Sequence, residues 1–176
     1  RQRIASLGDA DAGEAVTVSV TTIPVLGRAT YDYLRGRYSA YAGAVGGVYV
    51  TRSVERCFPT TVFLNDQPVD FGDNPTPVAV RWLASGFMAV HRRVFEKLAA
   101  RPEMVVCHAN MPDFRMMPFY MPFPHQAEMG WLYLSEDFAL CERARQEGFG
   151  VYLNPAVRIL HLGQYAFSLE DMLYEK

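Results

Sequence analysis

The sequence predicts an α/β fold: a mixed sheet flanked by helices, in one domain spanning residues 1–176. Three observations predict it. Short β-branched or apolar runs that suit strands alternate with segments whose apolar residues recur at three-to-four spacing. Gly, Pro and Asn signals, rather than long polar linkers, separate these segments. A chain of 176 residues, 50% hydrophobic and 20% charged, has the composition of a folded domain with a sizeable core.

Composition also narrows the function. A net charge of −2 gives no electrostatic case for nucleic acid or for an acidic membrane surface. Cys57, Cys107 and Cys141 are odd in number and form no C-x-x-C, so a disulfide framework is not expected and a reduced, cytoplasmic setting is. No apolar run approaches the ~20 residues that a membrane-spanning helix needs, and the first residues lack a signal-peptide layout.

In chain order, residues 1–15 read as a polar loop after a short strand at 4–7. Residues 16–23 (VTVSVTTI) alternate apolar with Thr or Ser and read as a strand, broken by Pro24 and Gly27. Thr30 can cap a short helix over 31–38. Residues 44–52 (AVGGVYVTR) form the next strand, where Gly46 and Gly47 mark close approach of either a neighbouring strand or a ligand. A short strand at 60–64, a turn at 65–68 and an irregular stretch at 70–77 follow.

Residues 78–83 read as a strand, Ser85-Gly86 as a break, and 87–90 as a second strand. His91-Arg92-Arg93 then opens a helix to about residue 100, with Val94, Phe95 and Leu98 inward. Residues 106–131 hold five Met among Pro112, Pro118, Pro122 and Pro124, too many prolines for a helix. They read as a long apolar loop that either lies over a site or covers the core. Ser168 can cap a last short helix.

The richest stretch is 133–163 (YLSEDFALCERARQEGFGVYLNPAVRILHLG). Ser135 is a good N-cap, and Glu136 and Asp137 fall in the first turn, where the helix dipole favours acids. Phe138, Cys141 and Ala144, with Leu140, form an apolar stripe, and Gly148 stops the helix. Two short strands joined by a reversal at 152–155 would then lead to His161. That order can bring the helix start and His161 into one cleft. The simpler reading of Glu136 and Asp137 is helix-dipole complementarity, and of His161 a half-buried, hydrogen-bonded ring.

The order Ser-Glu-Asp-Phe, helix, Gly, aromatic strand, Asn-Pro, strand, His-x-Gly resembles the C-terminal half of GT-A-fold, nucleotide-sugar-dependent glycosyltransferases, of the inverting family-two-like group. The resemblance extends back to about Ala44, through the Gly-Gly-x-Tyr strand and WLASGFMAVHRRVFEKL. It implies a GT-A sheet, truncated or incomplete in its N-terminal half. It also implies transfer of a sugar from a UDP- or GDP-sugar donor to a hydroxyl of a glycan, lipid or protein acceptor. Asp137 would be the catalytic base, with Glu136 orienting the acceptor. Trp82, Ser85, Gly86 and Trp131 would lie near substrate, and His161 would bind a divalent metal, Mn²⁺ or Mg²⁺, on the departing diphosphate.

The family's Asp-x-Asp metal motif has no carboxylate in its expected slot near residues 20–24. The literal match, Asp9-Ala10-Asp11, lies farther upstream, displaced by an insertion or present by chance. The alternative function is a glycosyltransferase-like module that has lost its donor site and serves in binding or structure. A metal-dependent hydrolase is a third class, without a Gly-x-Ser-x-Gly, H-E-x-x-H or Walker motif behind it.

Overall fold

The computed structural model describes residues 16–20, 43–51, 59–65, 69–71, 76–162 and 166–168. The expected strand at 4–7 and the expected helices at 31–38 and beyond residue 168 lie outside them.

Among the described residues the architecture is α/β, built on a mixed sheet. Its strands are β1 (Val16–Val20), β2 (Ala44–Val48), β3 (Val62–Phe63), β4 (Val78–Trp82), β5 (Phe87–His91) and β8 (Val151–Arg158), in the spatial order β1-β5-β2-β8-β4-β3. β2 and β8 pair in parallel; the other neighbours are antiparallel. Helices α1 (Arg92–Ala99) and α2 (Glu136–Gln146) join the main core, and two ribbons stand apart from the sheet: β6 (Phe123–Ala127) with β7 (Gly130–Leu134), and β9 (His161–Leu162) with β10 (Ala166–Phe167).

The two-residue period of strands divides the apolar residues between two faces. Ala44 and Val48 of β2, Met88 and Val90 of β5, and Val151 and Leu153 of β8 pack in one core with Val94 and Leu98 of α1 and Ala139, Leu140, Cys141 and Ala144 of α2. Val45 and Phe87 belong to a second, smaller cluster with Tyr152, Val157 and Ile159. The glycine pair of β2 marks close packing within the fold. A Cβ on Gly46 would meet Phe87 O at 2.9 Å, and one on Gly47 would meet Val157 Cγ1 at 2.8 Å.

Both helices end for local reasons. His91 is the N-cap of α1: its Nδ1 accepts the Arg93 N–H at 3.1 Å. At the end of α2, Gly148 adopts φ +84°, its N–H donates to Arg145 O, and the Phe149 N–H reaches back to Ala144 O. This pair of bonds around a left-handed residue is the Schellman termination, which the Gly148 signal anticipated. Ser135 occupies the N-cap position of α2 in extended geometry, but its side chain makes no capping hydrogen bond.

Two expectations are corrected. The reversal expected at 152–155 does not occur: β8 runs unbroken through Asn154 and Pro155. Gly46 opposes Leu153 while Val48 opposes Arg158, so the extra residues of β8 bulge out of the ladder. Asn154 Oδ1 accepts the Ala156 N–H at 3.0 Å across Pro155, which has no N–H to give the ladder.

The apolar loop is also shorter than expected, because its last part is the β6–β7 hairpin, in register from Phe123↔Leu134 to Ala127↔Gly130. A two-stranded ribbon leaves each strand a free edge and so tolerates Pro124. Upstream, backbone bonds between Cys107 and Met116 close an exposed excursion around a 3₁₀ turn at Pro112–Phe114. Phe119 and Tyr120 then return to the core. Phe119 packs edge-on against Phe95 at 5.0 Å, and its carbonyl accepts from Arg143 Nη1 at 3.2 Å.

Candidate functional site

The site forms where the chain leaves β4. Three backbone N–H groups of the β4–β5 connection have side-chain acceptors. Leu83 N–H donates to Cys141 Sγ at 3.4 Å, Ser85 N–H to Asp137 Oδ2 at 2.8 Å, and Gly86 N–H to Tyr49 Oη at 2.7 Å. Asp137 and Cys141 can serve the same connection because they are four residues apart and share one face of α2. The Cys141 thiol is used twice, since it also donates to Leu83 O at 3.6 Å. The helix therefore grips a segment that would otherwise leave buried polar backbone unpaired.

Tyr49 grips the same connection from the other side. It follows β2, is only 7% exposed, and its carbonyl accepts from both the Thr60 N–H (3.1 Å) and Thr60 Oγ1 (3.0 Å). Its phenol is in direct contact with the turn: a Cβ on Gly86 would lie 2.5 Å from Tyr49 Oη. Glycine is required there by contact.

Asp137 is held by one oxygen only. Oδ2 takes the Ser85 N–H, whereas Oδ1 is buried without a hydrogen-bond partner. Position in the first helical turn favours an ionised acid, and burial acts in the opposite direction. Burial raises the Asp137 pKa above the ordinary carboxylate value; the Ser85 N–H opposes this, and the neighbouring Glu136 adds to it. Burial likewise raises the Tyr49 phenol, against the Gly86 N–H, with a further push from Asp137. Tyr120 is pushed up to about 12 by burial, then by Cys141 and Asp137. Burial takes the Cys141 thiol to about 12 as well. One carboxyl thus lies in a poorly solvated region within electrostatic reach of two phenols and a thiol.

Trp82 and Glu142 form a second bracket between β4 and α2. Trp82 is 5% exposed, and its indole N–H donates to Glu142 Oε2 at 2.9 Å. The same oxygen accepts from Arg145 Nη1 at 3.0 Å, and Oε1 lies 3.9 Å from His125 Nδ1. Phe138 stacks on Trp82 with centroids 5.4 Å apart, and His125 meets it edge-on at 5.8 Å.

Asp137, Ser85 and Gly86 thus come together, with Trp82 bracketed behind them and Glu136 exposed at the helix start. Trp131 is apart from this buried cluster, 71% exposed on the outer face of the hairpin, where it shares a face with Tyr133. His161 opens β9 opposite Phe167, but its side chain lies outside the described residues, as do Asp9 and Asp11. Among the described residues no group of three or more His, Cys, Asp or Glu could hold a metal ion. Sequence reasoning did not identify Tyr49, Tyr120 or Glu142 as part of the site, and placed Cys141 only in the apolar stripe. The one available signal was the four-residue spacing of Asp137 and Cys141.

Comparison with protein-family models, with curated proteins and with solved structures finds no match to this chain.

Proposed function

We propose that this chain is a glycosyltransferase that moves a sugar from a nucleotide-sugar donor, a UDP- or GDP-sugar, to a hydroxyl acceptor, with inversion and with Asp137 as base. The observation that carries the reading is the unequal treatment of the Asp137 carboxyl. One oxygen is fixed by the Ser85 N–H, and the other is buried and has no partner. A buried acceptor atom with no donor calls for an explanation, and a substrate hydroxyl admitted to it would supply the missing bond. A carboxyl whose pKa is raised above the ordinary value is also a better proton acceptor than an ordinary one.

In the step proposed, the acceptor O–H donates to Asp137 Oδ1. Its proton passes to the carboxylate as the new O–C bond forms at the anomeric carbon. The anomeric C–O bond to phosphate breaks on the opposite side, and the nucleoside diphosphate departs with that electron pair. Glu136, exposed beside Asp137, would orient the acceptor. A divalent cation, Mn²⁺ or Mg²⁺, belongs to the same proposal, with His161, Asp9 and Asp11 as the ligands to test; bound, it would neutralise diphosphate charge.

The bracket between Asp137 and Ser85 also supports a second reading, a binding or structural module in which the acid only ties helix to turn. Calorimetric titration with UDP-, GDP- and dTDP-sugars, with and without Mn²⁺, separates the two. Metal-linked heat with sugar transfer supports the enzyme, and silence across the panel supports the module.

A further inference from the structure

We propose that Tyr49 is a positioning residue for Asp137: by accepting the Gly86 N–H, its hydroxyl holds the turn so that the neighbouring Ser85 N–H stays on the carboxylate. The inference rests on the reading of Asp137 as the working acid, and it adds a residue from the opposite side of the turn. The Ser85 and Gly86 N–H groups belong to adjacent peptides joined at the Ser85 Cα. One points to the helix, at 2.8 Å from Asp137 Oδ2, and the other to the phenol, at 2.7 Å from Tyr49 Oη. Rotation about that Cα would move both donors, so an anchor on one restrains the other.

The anchor is itself fixed at both ends. The Tyr49 carbonyl is bound twice by Thr60, and the ring rests on Gly86 so closely that no side chain fits between. Phenylalanine would fill the same space but would leave the Gly86 N–H without its acceptor. The hydroxyl is the part of this residue that packing alone does not require.

The test reads the carboxyl directly and needs no sugar donor. The groups that face Asp137 are Glu136, Tyr49, Tyr120 and Cys141, and two of these, Tyr120 and Cys141, are raised to about 12 and stay neutral across the acid range. Carbon-13 NMR of labelled Asp carboxyls, with the Asp137 signal assigned by its loss in Asp137→Asn, gives the titration midpoint. The Ser85 amide proton, followed over the same pH range, reports whether its bond to the carboxylate persists. In Tyr49→Phe the midpoint should move up by about half a pH unit or more, and the Ser85 response should shrink, because a donor that favours the charged form has been loosened.

Thr60→Val, which removes the Oγ1 bond to the Tyr49 carbonyl and the Thr60 contribution at the phenol but leaves the Gly86 N–H its acceptor, should move the midpoint by less than Tyr49→Phe. If Tyr49→Phe does not fold, 3-fluorotyrosine placed at position 49 weakens the oxygen as an acceptor while keeping the ring. It should shift the midpoint in the same direction by less. An unchanged midpoint and Ser85 response in whichever variant folds would overturn the proposal. That result would leave the transferase reading standing, and absence of transfer in a protein that shows these shifts would sink the transferase reading alone.

Discussion

Asp137 reaches from the first turn of α2 to the backbone of Ser85 and accepts its N–H at 2.8 Å. The acid that reads in sequence as a helix-dipole partner is therefore also a tie between helix and sheet. Its second oxygen is left without a partner.

Asp137→Asn preserves an oxygen for the Ser85 N–H and removes the proposed base. Transfer to acceptor should fall by about 10²–10⁴-fold, the usual contribution of a general base. Donor binding by calorimetry should be little changed. Unaltered turnover would remove Asp137 from the mechanism.

The same substitution makes a stability prediction with a definite sign. The Asp137 carboxyl is raised above its unfolded value of 3.8, so the fold favours its protonated form. Its favourable contribution is complete below the unfolded pKa and is lost as pH rises through the folded one. Asp137→Asn should therefore melt at or above the native temperature at pH 7, and the difference should narrow on acidification. Scanning calorimetry between pH 3 and 7 measures it. A variant that is markedly less stable at pH 7 and converges upward in acid would contradict the assignment.

Glu142→Ala should destabilise the protein by about 3 kcal/mol, because it leaves the Trp82 indole N–H buried without an acceptor and strips Arg145 of its partner. Glu142→Gln, which keeps an oxygen, should cost less than half of that. Urea unfolding resolves the pair, and equal losses would show that charge, not the indole bond, dominates.

Burial and a pKa of about 12 make Cys141 inert in the folded state. Iodoacetamide at pH 8 should modify Cys107, which is partly exposed, and reach Cys141 only on unfolding. Peptide mass spectrometry reads the sites, and fast native labelling of Cys141 would mean that the Leu83 bracket opens.

Gly148→Ala should cost about 1 kcal/mol, since nothing crowds the position and only its φ of +84° opposes a side chain. Thermal unfolding tests it. A neutral result would mean that the helix end relaxes to another termination.

Much of the fold was legible where one local rule governed. His91 as a helix start, Ser85-Gly86 as a break and Gly148 as a stop depend on neighbours within a few residues. Residues 152–155 misled because Asn-Pro commonly marks a reversal, whereas here a parallel ladder with β2 absorbs it as a bulge. The hairpin was obscured by Pro124 and by Trp131 and Tyr133, large aromatics that face outward. In the site, Asp137 was singled out by the resemblance, while its place in the helix alone suggested only dipole complementarity. Its anchor could not be named, because the partners are backbone N–H groups, which every residue but proline carries, and a tyrosine brought near only by the sheet.

The chain carries two tryptophans, and they occupy opposite environments. Trp131 on the outer hairpin face should emit like an indole in water. Trp82, clasped by Glu142 and stacked on Phe138, should emit to the blue and be shielded from soluble quenchers. Replacing Trp131 would leave a single emitter directly behind the acid-bearing turn, so that the fluorescence of the whole protein would become a gauge of how tightly helix and sheet are clasped there.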